Sequence, residues 1–250
     1  MYKLKWKKLN GKIVEIKYPT VLYHLTRNTI SRCCNKFDNV IIITGKVGSG
    51  KSNLAIGIAM AYEIYMNRIL TLDNIHFRVE DVLTELWRDD NYTSTIIHDE
   101  AIQGSSTRDT TSNKGKFLHQ ALITKRYKRH LIILNIDNIK ELTKKVIERS
   151  VCWIHCTYFR KVDKYIRGVF RVFSPKDAAA IYIALKSGKI IYPEEHPIFK
   201  RNKSIHKAPY YFNYMIDEEE YEKKKDYYTS LAQYKMAEKI IKSQKKNKKT

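Results

Sequence analysis

The chain has 250 residues, 43% of them apolar and 29% charged, enough to bury one sizeable core with a small appendage. Nine Gly and five Pro exclude a collagen-like or low-complexity chain, and four irregularly spaced Cys exclude a disulfide scaffold. No apolar run reaches the roughly 18 residues of a membrane span, and the Lys-rich first residues do not read as a signal peptide, so a cytoplasmic chain is expected.

Forty-seven Lys and Arg against 26 Asp and Glu leave a formal charge of +21. A field of that sign favours a polyanion as partner, either nucleic acid or an anionic membrane surface. Seven Lys and one Glu from Lys235 onward account for +6 of it, so most of the charge lies elsewhere in the chain.

In chain order, residues 2–18 read as a hairpin. Two alternating runs, Leu4–Leu9 and Lys12–Ile16, flank the turn dipeptide Asn10-Gly11. A short helix is expected near Leu22–Cys33. Val40–Thr44 is a β-branched apolar run, as in a strand covered on both faces. A Gly-rich loop and a Pro-free apolar helix, Lys51–Met66, follow. Arg68–Leu72 reads as a second strand, Val79–Trp87 as an amphipathic helix and Ser94–Ile97 as a third strand.

Gly104–Gly115 is a Ser/Thr/Asp-rich loop, and Phe117–Lys128 a basic helix. His130–Leu134 is a fourth strand, Ile139–Ser150 a helix and Val151–Cys156 a fifth strand. Tyr165–Phe173 alternates with Arg and reads as an antiparallel strand. Past Pro175 the pattern weakens until Glu218–Lys242, a highly charged helix.

Short apolar strands alternating with helices predict a three-layer α/β fold with a mostly parallel sheet. The expected division is an N-terminal hairpin and entry segment (1–37), a core (38–175), a C-terminal extension (176–234) and a Lys-rich, disordered tail (235–250). Tyr210–Tyr214 and Tyr227-Tyr228 are expected to pack the extension onto the core. Cys152 and Cys156 read as small apolar residues of a buried strand rather than zinc ligands.

The chemistry concentrates at Gly45-Lys46-Val47-Gly48-Ser49-Gly50-Lys51-Ser52, which matches G-x-x-x-x-G-K-[ST] between a buried strand and an apolar helix. Glycines let backbone N–H groups turn inward around phosphate oxygens, and the helix N-terminus adds its dipole. Lys51 is placed for the β- and γ-phosphates of ATP and Ser52 for Mg2+. Asp99, ending an apolar strand, is the expected Walker B carboxylate that orients Mg2+. Glu100 beside it is the candidate for aligning or deprotonating the attacking water.

The adjacent Asp-Glu pair, and a strand between the two Walker strands in sequence, resemble the ASCE division of P-loop NTPases, with a RecA-like core. Within it, the chain resembles the FtsK/HerA group of DNA-pumping ATPases and viral genome-packaging ATPases. Ile96–Ala101, Leu122–His130, Leu131–Asn135 and Leu142–Arg149 carry the resemblance, which covers about residues 38–160. The family usually carries Gln as the polar sensor; here Asn135 stands there, with Asn138 nearby.

The resemblance implies a homo-oligomeric ring of about five or six subunits. An arginine from the neighbouring subunit would complete each site, with Arg149, then Arg126, then Arg129 as candidates. It also implies DNA held mainly through phosphates, a capsid or portal partner, and a place in a host cytoplasm or virion. Arg108, Lys114 and Lys116 in the Ser105–Lys116 loop are candidate phosphate contacts.

Two rivals stay open at this level. One is an AAA+ replication initiator or helicase loader. The other is a nucleotide-switched assembly protein with a membrane contact through its tail.

Overall fold

The computed structural model describes residues 1–7, 13–37, 39–88, 93–99, 129–161, 164–212 and 214–247. Strands β1 (Tyr2–Lys7) and β2 (Ile13–Tyr18) form an antiparallel hairpin. The expected turn at Asn10-Gly11 lies outside the described residues. Helix α1 (Thr20–Cys34) leads to β3 (Asn39–Gly45), the eight-residue loop and α2 (Lys51–Tyr65). Then come β4 (Ile75–His76), α3 (Val79–Trp87) and β5 (Thr95–His98).

Beyond the undescribed stretch lie β6 (Leu131–Ile136), α4 (Lys144–Arg149), β7 (Cys152–Lys161) and β8 (Lys164–Phe173). Helix α5 (Pro175–Lys186), α6 (Pro197–Arg201), β9 (His206–Lys207) and α7 (Glu218–Asn247) complete the described chain.

The main sheet has the order β4-β5-β6-β3-β7-β8-β9. The first five strands are parallel; β8 pairs antiparallel with β7, and β9 antiparallel with β8. Alternation along each central strand feeds two separate cores. Ile41 and Ile43 of β3 and Leu131 and Ile133 of β6 pack with α2 on one face. Val40, Ile42, Ile132 and Leu134 pack with α3, α4 and α5 on the other. Helices on both faces are why these strands are continuously apolar. Helix α2 is buried from Leu54 to Glu63, which is why its sequence shows so little amphipathicity.

Several expectations are corrected or filled in. Arg68–Leu72 is not a strand. After α2, Asn67 turns left-handed (φ 55°), and Arg68 spends its N–H on the Glu63 carbonyl (2.8 Å). The Arg68 guanidinium grips the buried Glu63 carboxylate (2.6 Å), itself bonded by Thr95 at the start of β5. Those residues close the helix instead of pairing, and only Ile75 and His76 reach β5, at the sheet edge. The helix expected over 139–150 is a 3-10 turn, Ile139–Glu141, followed by α4. Asn138 and Thr143 each stand at a turn's start, so the chain bends between them. The weak region after Pro175 holds α5, capped by Ser174, whose Oγ accepts from the Asp177 N–H (3.1 Å).

The two ends of the chain join the α2 core. Leu4, Ile16 and Tyr18 of the hairpin and Tyr211, Phe212, Ile216 and Tyr221 of the extension share one buried cluster with it. Helix α7 runs to Asn247, so the stretch from 235 expected to be disordered is helical to that residue. Lys has good helix propensity.

The extension is anchored through Asn53 of α2. Its Nδ2 donates to the Pro209 carbonyl (2.8 Å), and its Oδ1 accepts from the Tyr211 N–H (2.6 Å). The Tyr211 ring then lies flat over Gly57, where a Cβ would fall 2.2 Å from ring carbons. Gly57→Ala is expected to lower the melting temperature by several degrees. Overpacking costs about 1–3 kcal/mol, against about 1 kcal/mol returned by helix propensity. An unchanged thermal transition would refute this packing.

Candidate active site

The carboxyl ends of β3, β6 and β5 meet at one place. In the parallel registers Ile43 lies beside Asn135, and His98 lies beside Leu134. The next step along β5 therefore brings Asp99 to Asn135. The Asn135 Nδ2 donates to Asp99 Oδ1 at 2.9 Å, and both residues are buried. Asn135 Oδ1 has no partner among the described residues. Asn138, the other sensor candidate, instead accepts from the Lys140 N–H (3.0 Å) as a turn cap. In the sheet, β6 stands between β3 and β5, the strands that lead into Gly45–Ser52 and Asp99.

The loop Gly45–Ser52 is braced from the side. Between β7 and β8 the register slips at Thr157/Phe159, leaving Gly168 in a bulge at φ +72°. Its N–H donates to the Ser49 carbonyl (2.9 Å), and its carbonyl accepts from the Ala208 N–H (2.8 Å). Gly50, at φ +96°, caps α2 against it. A Cβ on Gly50 would stand 3.0 Å from the Gly168 nitrogen. Below the loop, Thr44 accepts from Trp153 Nε1 (2.8 Å) and pairs with His155 Nδ1 (2.9 Å). Glu194 reaches the other ring nitrogen of His155 (3.2 Å), and that hydrogen bond holds its carboxyl below the usual range. Lys46, Val47 and Gly48 are exposed at the tip.

Lys51 folds over its own loop. Its ammonium donates to the Gly45 carbonyl (2.6 Å) and pairs with Asp137 (2.7 Å), a largely exposed carboxylate just past β6. Asp99 Oδ2 accepts from the Tyr221 hydroxyl of α7, which lies near the Ser52 side chain. Burial, followed by the Asp99 charge, pushes the Tyr221 phenol upward, so it is a neutral donor. His98, behind Asp99, and His76 beside it are pushed down to about 4, mainly by burial, and stand as neutral imidazoles.

These residues fit a Mg2+–nucleotide. The loop offers main-chain donors and the Ser49 hydroxyl, which has no partner among the described residues. Lys51 supplies a cation already aimed at a carboxylate. Ser52 and Asp99 supply hard oxygen ligands on one side.

Of the expected site residues, Gly45 to Ser52, Asp99 and Asn135 come together. Glu100 and Arg126 lie outside the described residues, as do Arg108, Lys114 and Lys116. Arg149, the last residue of α4, is exposed. Sequence reading missed Asn53, Asp137, Gly168 and Tyr221. A lone Gly inside the alternating run Tyr165–Phe173 signals a bulge, so Gly168 carried a usable sign. Nothing local marked Tyr221.

No family model and no curated protein matches the sequence. Among solved structures, the chain is similar to the genome packaging NTPase B204 from Sulfolobus turreted icosahedral virus 2 in complex with ATP-gammaS. The identity is 16% and the TM-score 0.36, over 58% of this chain and 95% of that one. It is also similar to the flagellar accessory protein FlaH from Methanocaldococcus jannaschii, at 14% identity and TM-score 0.31, over 54% of this chain and 77% of that one. Its own strand order, loop and paired strand ends give this chain the α/β fold of a P-loop NTPase.

Glu141 offers a test of the electrostatics around Lys51. Burial and the Asp137 charge push its carboxyl up to about 7. The folded state therefore holds a proton that the unfolded chain releases near 4.5. The stability this gives is complete below that point and is lost as pH rises through about 7. Glu141→Gln is expected to match the parent at pH 4 and to melt higher than it at pH 8. Parallel melting curves across that range would contradict the assignment.

Proposed function

We propose that this protein is an ATP hydrolase that moves DNA, working as a homo-oligomeric ring in the manner of viral genome-packaging motors. The observation that carries the hydrolase part is the bond between Asn135 and Asp99. That bond sets an amide from the interposed strand β6 against the Asp99 carboxylate, at the strand ends where Lys51 and Ser52 also stand, and so supports reading the two as sensor and Walker B carboxylate. The charge of +21 supports a polyanionic track.

Phosphoryl transfer needs little covalent chemistry from a protein, so positioning and charge neutralisation do most of it. The loop amides and Lys51 hold the β- and γ-phosphates. Ser52 directly and Asp99 indirectly would hold Mg2+, which would supply charge neutralisation at the phosphate oxygens. Glu100 takes or orients the proton of the attacking water. Asn135 Oδ1 offers that water a second acceptor. Arg149 is exposed and able to serve a neighbouring subunit's site, with Arg126 the next candidate. Exposed basic side chains hold DNA through its phosphates, and a capsid or portal protein is the natural docking partner of such a ring.

The decisive measurement is the ATPase rate with and without duplex DNA. The parent is expected to turn over faster with DNA. Lys51→Ala is expected to lose nucleotide affinity. Glu100→Gln should keep affinity and lose turnover by about a hundredfold or more. Arg149→Ala should behave like Glu100→Gln. A DNA-independent rate removes the motor; intact turnover in Glu100→Gln removes the catalytic assignment.

Affinity for DNA should fall with salt at a log–log slope of about −0.9 per phosphate neutralised. Salt-independent binding measured by fluorescence anisotropy would contradict phosphate recognition.

A further inference from the structure

Resting on the ATP-site reading above, we propose that the Tyr221 hydroxyl holds the place of Mg2+ between Ser52 and Asp99, making α7 a latch that metal–nucleotide loading must lift. Tyr221 is 1% exposed, and so is Asp99. Its hydroxyl donates to Asp99 and lies near Ser52, the two residues expected to face the metal. Asp99 has one oxygen bonded to Asn135 and the other to Tyr221. Mg2+ demands octahedral oxygen ligands at about 2.0–2.1 Å and retains several waters. A phenol seated on Asp99 beside Ser52 occupies the space that shell needs.

Tyr221 cannot swing out alone. Its ring packs on Phe212 (centroids 5.0 Å) and Phe77 (5.9 Å). One turn on, Lys224 reaches under the edge of the sheet and donates to the carbonyls of Leu72 (2.6 Å) and Ile75 (2.9 Å). Tyr228 stacks on Phe77 at 5.8 Å. The three side chains are spaced along one face of α7, so freeing the hydroxyl moves the start of the helix. The far part of that helix carries the Lys-rich stretch from 235. Occupancy of the metal side is thereby read out as the position of a basic helix. Metal-free nucleotide meets only the loop and Lys51 and leaves the latch shut.

The test is a calorimetric titration of full-length protein with ATPγS, in Mg2+ and again in EDTA. Tyr221→Phe keeps the ring and removes the hydroxyl. It is expected to tighten binding about tenfold in Mg2+ and to leave binding in EDTA within about twofold. Lys224→Met loosens the same helix without touching the site, and is expected to shift affinity in the same direction. Hydrogen exchange of residues 218–228 in the parent should speed up with Mg2+–ATPγS and not with ATPγS in EDTA. Weakened or unchanged Mg2+–ATPγS binding in Tyr221→Phe, or exchange indifferent to the metal, overturns the latch while the ATP site stands. If the parent binds no nucleotide under either condition, the ATP-site reading itself fails, and the latch with it.

Discussion

Register is the constraint on which this site rests. Three parallel strands end side by side, and their pairing fixes which residue of each emerges at the same level. A slip of one residue on any of them would send its side chains to the opposite face of the sheet. The two-sided burial of β3, β5 and β6 prevents that slip, because each strand serves a different core on each face. The hydrogen bond from Asn135 to Asp99 is the visible consequence. The same apolar packing that stabilises the sheet therefore also sets the geometry available for phosphate chemistry.

Around that line, the protein satisfies the charged groups internally. Asp137 stands against Lys51 where a phosphate charge would otherwise balance it. Tyr221 bonds Asp99 on the opposite side. A buried carboxylate without a donor is costly, so such contacts keep the unloaded fold stable. They also define what a ligand has to displace. On the proposed ATP-site reading, one anionic and one hydroxylic partner stand where nucleotide and metal would bind.

The C-terminal extension is part of the site, not an accessory to it. Its backbone is tied to Asn53, two residues past Lys51, and to Gly168, which braces Ser49. Its helix reaches Asp99, at the end of β5, through Tyr221 and meets the edge strand β4 through Lys224. The aromatic residues of Tyr210–Tyr214 divide accordingly: Tyr211 and Phe212 are buried in the α2 core, whereas Tyr210 stays at the surface.

What could be read from the chain by itself was whatever has a contiguous or periodic signal. The phosphate loop is a run of eight residues. The central strands announce themselves by β-branched apolar runs, and Asp99 by ending one of them. Arg68–Leu72 had the composition of a strand and failed to become one, because its residues close α2 through Asn67 and the Glu63 grip. Pairing is decided by neighbours, and only two residues there have one. The choice of Asn135 over Asn138 likewise needed the sheet order. Tyr221 was beyond any local reading. It lies 122 residues from Asp99, on a helix dominated by charged and polar residues. Local patterning specifies elements and contiguous loops. Only the packed chain decides which distant hydroxyl comes to rest on which carboxylate, since that contact follows from how the helix is anchored and not from its own composition.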